Sequence, residues 1–190
     1  MSKLISKITI ASIAIAAIGT FYLTFASEGN NTAQNSNSAI ANENTTQATQ
    51  VSVWDKETEP NYLGTTEMTV YRSPSCGCCG VWIEHAQKHG FKIKDIKTNE
   101  MEALKQKYNI PAELASCHTT IINGYVMEGH IPADDIKRFL AQKPDMTGLA
   151  VPGMPIGTPG MEAKNIKQPF QVLAFNDKGK VEVFKEYQSY

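Results

Sequence analysis

Three of the four cysteines in this 190-residue chain fall within four residues, at Cys76, Cys78 and Cys79, and the fourth is Cys117. A structural disulfide framework spreads its half-cystines to staple distant loops, so this crowding points to redox chemistry or to a soft metal. Cys76 and Cys79 have C-x-x-C spacing at a strand-to-helix junction. That sets both sulfurs at a helix N-terminus, where unpaired amide N–H groups and the dipole favour thiolate over thiol. Thiolates serve disulfide exchange and metal ligation alike. Cys78 is the discriminating residue, because a thiol inside the turn adds a third sulfur that a two-electron dithiol switch does not need. Vicinal Cys78 and Cys79 do not readily close an unstrained disulfide with each other, but both can face one bound ion or cluster.

The elements that must position these sulfurs are legible from hydrophobic period and turn signals. Residues 68–72, Met-Thr-Val-Tyr-Arg, form a strand that runs through Ser-Pro-Ser into the cysteines. From Cys79 the positions Val81, Trp82, His85, Ala86 and His89 have helical spacing, which stops at Gly90. Residues 91–96 alternate as a half-buried strand, and 100–108 are helical up to Asn-Ile-Pro. Residues 119–122 and 125–128 are strands joined by Asn123-Gly124, the strongest short hairpin signal. Residues 133–142 make a third helix with Asp134 and Asp135 in its first turn. The succession is βαβαββα, which predicts an α/β, thioredoxin-like fold. Beyond it, residues 148–161 carry four Gly, three Pro and two Met. That stretch reads as an irregular loop too apolar for an exposed linker. Residues 170–175 and 180–187 around Asn-Asp-Lys-Gly form a closing β-hairpin that extends or covers the sheet.

In that topology the strand at 119–122 begins against the C-x-x-C turn, so Cys117 converges on the first three sulfurs. His118 either joins it or is turned to the opposite face by strand alternation. Four sulfurs in one place select Cu(I) by ligand softness, with zinc as the competitor. The plain alternative for Cys117 is a disulfide with one of the other three. Met154, and less readily Met161, could supply a thioether from a flap over the sulfurs, against simple core filling. His85 and His89 share a helix face two to three turns from the cysteines and read as a solvated or half-buried face. His130 reads as structural, with a place near the site as its other reading, and Trp82 as a core anchor.

Lys3 and Lys7 precede an uncharged run over 8–26 that ends in Thr-Phe-Ala-Ser, the pattern of a secretory leader or, uncleaved, of an N-terminal anchor. Residues 1–26 are so assigned, 27–66 are read as a polar flexible linker of Asn, Thr, Gln and Ser, and 67–190 as one metal-binding domain. The formal net charge of −1 gives no basic footprint for nucleic acid. A membrane enters only through the N-terminal segment.

Four ordered motifs carry a resemblance: Thr-Val-Tyr-Arg-Ser-Pro-Ser-Cys-Gly-Cys-Cys-Gly, Ala-Ser-Cys-His-Thr, Tyr-Val-Met-Glu-Gly-His-Ile-Pro-Ala-Asp-Asp-Ile, and Gly-Leu-Ala-Val-Pro-Gly-Met-Pro-Ile-Gly-Thr-Pro-Gly-Met-Glu. Together they resemble the CopG-type periplasmic copper-resistance proteins, a thioredoxin-like metal-binding family. The resemblance implies copper handling in the periplasm, with Cys76, Cys78, Cys79 and Cys117 at the family's cysteine positions. The expectation is therefore a periplasmic Cu(I)-binding protein for copper tolerance. Its metal residues are Cys76, Cys78, Cys79, Cys117, His118 and Met154, and copper carriers or efflux components are further candidate partners. A redox step on copper stays open. The competing expectation is an enzyme, a periplasmic thiol-disulfide oxidoreductase with Cys76 attacking and Cys79 resolving.

Overall fold

The computed structural model describes residues 52–56, 58 and 62–190. The leader read at 1–26 and most of the linker read at 27–66 lie outside them. Strand β1 (Glu67–Arg72) turns Met68 and Val70 into the core and leads into helix α1 (Gly77–Lys88), with Cys76 at the N-cap. Strand β2 (Lys92–Lys97) lies parallel to β1 at the sheet edge, and helix α2 (Met101–Lys107) follows. Strands β3 (His118–Ile122) and β4 (Tyr125–Glu128) form the expected hairpin. Its turn places Asn123 and Gly124 at φ of 50° and 82°. Positive φ at both central positions is what a type I′ turn requires. Helix α3 (Ala133–Gln142) closes the βαβαββα succession as expected.

The stretch at 148–161 departs from its reading as a continuous loop. Its first three residues are strand β5 (Gly148–Ala150), fully inside the sheet between β4 and the next strand. A Cβ on Gly148 would lie 1.7 Å from the Val126 carbonyl oxygen, so the glycine that reads as a breaker is what admits the strand. Strands β6 (Phe170–Phe175) and β7 (Val181–Tyr187) then extend one seven-stranded sheet in the order β2-β1-β3-β4-β5-β6-β7.

Strand alternation gives the sheet two apolar faces. On one, Met68, Val70, Met127 and Leu149 pack with Trp82, Ala86, Ile136 and Phe139 of α1 and α3. On the other, Val126, Ala150 and Phe175 pack with Ile110 and Leu114, which follow α2. The first core also corrects the linker boundary. Trp54, in a 3-10 turn over Val53–Asp55, is buried against Phe170, Tyr187 and Tyr190, and its Nε1–H donates to the Gly157 carbonyl at 2.7 Å. A buried indole with a satisfied N–H is too large a gain in apolar burial for a free tether. The packed body therefore reaches back to Ser52 instead of beginning at Glu67. Among the described residues no helix is long and apolar enough to cross a membrane.

Candidate metal centre

The site begins where β1 stops. Arg72, at the end of β1, is held by a two-pronged ion pair with Asp95 of β2 at 2.9 and 2.7 Å. Its remaining nitrogen donates to the Cys76 carbonyl at 3.1 Å, so the start of α1 is tied to the sheet by a guanidinium that is itself fixed. Cys76 caps α1, Cys78 and Cys79 occupy its first turn, and no side chain caps the free amides there. Cys79 is fully buried, whereas Cys76, Cys78 and Cys117 are partly exposed.

Cys117 arrives from the other side of the sequence, one residue before β3. The four sulfurs of Cys76, Cys78, Cys79 and Cys117 all lie within 4.8 Å of one another. Cys76 and Cys79 are joined in a disulfide, with Cys78 and Cys117 as free thiols, and the Cys78 sulfur stands 3.6 Å from that of Cys76. Two electrons and two protons open the disulfide and leave four thiols facing one point.

Cys117 belongs to a second cluster as well, with one nitrogen each of His118 and His130 within the same 4.8 Å span. By alternation along β3, His118 shares the face of Ile122 that α1 covers, and its ring packs 4.5 Å from that of Trp82. Its Nδ1 is 3.4 Å from the Cys117 sulfur, and its buried Nε2 has no partner among the described residues. His130 lies two residues past β4. Its Nδ1 faces the Pro159 carbonyl at 2.7 Å, and a carbonyl can only accept, so Nδ1 carries the proton. That leaves the Nε2 lone pair directed at the Cys117 sulfur, 3.0 Å away.

Burial keeps both imidazoles uncharged: it lowers the pKa of His118 far below the ordinary value, helped by His130, Lys105 and Arg72, and it lowers that of His130. Burial and the neighbouring Cys78 sulfur push the Cys117 thiol up to about 12. Neutral imidazole is the ligating form, whereas a bound cation must displace the Cys117 proton. Sulfur and imidazole together suit a soft or borderline metal and offer nothing to Mg or Ca.

A family described as "Protein of unknown function, DUF411" matches residues 114–161, which span Cys117, His118, His130 and Met154. No curated protein matches the chain. Two solved structures, "Copper resistance protein copG- Form 2" and "Copper resistance protein copG- Form 1", are each 40% identical to it with a TM-score of 0.63. The first matches over 65% of this chain and 99% of its own, the second over 66% and 100%. The chain belongs to the CopG copper-resistance protein family.

The four cysteines and His118 are brought together. Met154 is about half exposed, and its neighbour Gly153 bridges to Ser116, beside Cys117. Gly160 of the same loop lies directly on α1, where a Cβ would come within 2.6 Å of the Trp82 nitrogen and 3.0 Å of the Cys78 carbonyl oxygen. The loop thus crosses the cysteine turn. His85 and His89 form neither a solvated nor a half-buried face. Both are buried: the Ala133 N–H donates to His85 Nε2 at 3.0 Å, and His89 sits between the Trp54 carbonyl and Asp134. His130, expected as structural, stands at the site, and Glu128 and Lys105, which the sequence does not single out, form a buried pair whose carboxylate accepts from the Ser116 N–H beside Cys117. A carboxylate closing a hydrophobic strand was the one local signal for Glu128.

Proposed function

We propose that the chain is a periplasmic copper-binding protein that holds Cu(I) as cargo at Cys76, Cys78, Cys79 and Cys117 and serves copper tolerance. The observation that supports this most is the convergence of four sulfurs from two distant segments, α1 and the start of β3, within 4.8 Å. Once reduced and deprotonated, each sulfur has more than one lone pair and can bridge two ions, so more than one Cu(I) per chain fits the cluster. The neutral Nε2 of His130 and the ring of His118 extend the ligand set on the Cys117 side, and Met154 is the thioether candidate from the overlying loop. In this reading the segment at 1–26, as a cleaved leader or an uncleaved anchor, directs export to the periplasm. The test is copper analysis of the full chain reconstituted with Cu(I) without oxygen, thiols confirmed reduced. At least one tightly held Cu(I) per chain is expected, retained in competition with Zn. A copper content near zero removes the reading.

A second reading has its own observation, the disulfide between Cys76 and Cys79. In an exchange reaction a partner dithiol would reduce that bond, with one partner thiolate attacking Cys76 or Cys79, the other sulfur leaving, and the partner ending as the disulfide. That chemistry uses neither Cys78 nor Cys117. Their presence within the cluster favours the metal reading, with a redox step on copper coupled to the same disulfide as its finer form.

A further inference from the structure

Cys117 has no ladder of its own, since β3 begins at His118. Its sulfur belongs to the cluster only if the residues around it are held by something other than the sheet. Ser116 is bridged to Gly153 in the loop, its hydroxyl donates to the Gly153 carbonyl, and a further grip comes from Glu128 at the end of β4. Glu128 is fully buried, so its carboxylate must use its lone pairs on protein donors. Oε1 accepts from the Ser116 N–H at 2.7 Å and from the Lys105 ammonium, and Oε2 accepts from the Thr119 hydroxyl at 2.6 Å. Lys105, on α2, also reaches the Thr119 hydroxyl at 3.2 Å. Ser116 and Thr119 stand on either side of the Cys117-His118 pair. Thr119 and Glu128 are also partners across the β3–β4 register, so the clamp is built into the strand alignment.

We propose that Glu128 is a positioning residue for the metal centre: its carboxylate, oriented by Lys105, grips the chain on both sides of Cys117 and holds that sulfur against those of Cys76, Cys78 and Cys79. This rests on the copper reading above for its consequence, but the positioning itself is a property of the metal-free chain. The same contacts would exist if Glu128 and Lys105 only completed the core. The two roles part in one respect: a positioning residue acts through Cys117 and has nothing to act on once that sulfur is gone.

Two measurements on the full chain decide it. In metal-free Cys78→Ser protein with the Cys76–Cys79 disulfide closed, Cys117 is the sole free thiol, and its alkylation by iodoacetamide should be faster after Glu128→Gln. An unchanged rate overturns the proposal. With Cu(I) bound, Glu128→Gln should raise the rate at which bathocuproine disulfonate extracts copper by about 10- to 100-fold, the range seen for groups that orient metal ligands. In a Cys117→Ser background the same substitution should change extraction little. Equal factors in both backgrounds would make Glu128 a plain core residue and overturn the proposal. If Glu128→Gln leaves Lys105 uncompensated and the protein unfolds, Lys105→Met/Glu128→Gln removes both charges and replaces it in each arm. Failure of the parent to take up Cu(I) would sink the copper reading, while the alkylation arm still decides the positioning.

Discussion

Cys78 and Cys117 separate metal binding from thiol exchange, because each is a sulfur that a C-x-x-C switch does not use. Cys78→Ser and Cys117→Ser should each weaken Cu(I) binding by roughly tenfold or more, about 1.4 kcal/mol, with circular dichroism unchanged. Parent-like copper affinity in both variants, together with an insulin-reducing activity that only Cys76→Ser and Cys79→Ser abolish, would transfer the site to the oxidoreductase reading. His85 gives a prediction in pH. Burial, reinforced by the neighbouring His89, lowers its pKa from the ordinary 6.5 to about 3. Below pH 6.5 the unfolded chain takes up a proton that the folded chain refuses, so this residue's contribution is fully present above that pH and is lost as pH falls toward 3. The slope for one proton is up to about 1.4 kcal/mol per pH unit. His118 and His130 act in the same direction, whereas the buried carboxyls of Glu128 and Asp135, pushed up by desolvation, oppose it. Replacing His85→Gln, which keeps an acceptor for the Ala133 N–H, should therefore flatten the fall in urea-unfolding free energy between pH 6.5 and 4. An identical pH profile would show that His85 is not the group that refuses the proton.

Among the elements, the segment after β5 is the one whose role turns on contact with the cysteine turn. Gly160 has φ of 80° and rests against the backbone of Cys78 and Trp82. Gly160→Ala adds a Cβ where backbone atoms cannot yield and where an L-residue is strained, at a cost of about 1–3 kcal/mol. Thermal denaturation should show that loss, and the loop should lift from α1, seen as faster alkylation of Cys78. Met154 tests whether the same segment also guards the metal. Met154→Ala should speed removal of copper by an external chelator, through loss of a thioether ligand or of cover. Kinetics equal to the parent's would assign Met154 to packing at the surface.

At the scale of the whole molecule, the βαβαββα unit continues into β5, β6 and β7, and the N-terminal turn at Trp54 is pinned against that extension. Trp54 touches Phe170, Tyr187 and Tyr190 and bonds to Gly157, so it joins the loop that crosses the cysteine turn to the C-terminal hairpin. Trp54→Ala should cost about 3–5 kcal/mol in chemical denaturation, the range for a large aromatic removed from a core. A body that began at Glu67 would not register the change, so a loss below about 0.5 kcal/mol, the usual surface range, would return Trp54 to the tether.

What the sequence by itself determined is what local chemistry carries. The crowding of Cys76, Cys78 and Cys79, the strand before them and the helix after them, the Asn123-Gly124 hairpin, and α3 with its acidic first turn all depend on residues a few positions apart. Periods of two and 3.6 and the φ demands of a turn are read from such neighbours alone. Only the tertiary structure decided that Gly148 opens a central strand, because the reason is the carbonyl of Val126 on the strand beside it. It also decided that His118 faces α1, that His130 aims its lone pair at Cys117, and that Trp54 belongs to the body. Each rests on a contact between segments far apart in sequence, set by sheet register and by satisfaction of buried polar groups, and a single sequence does not contain that register. The Glu128 clamp is of the same kind. A carboxylate at the end of β4 reaches its meaning only when β3, α2 and Ser116 close around it.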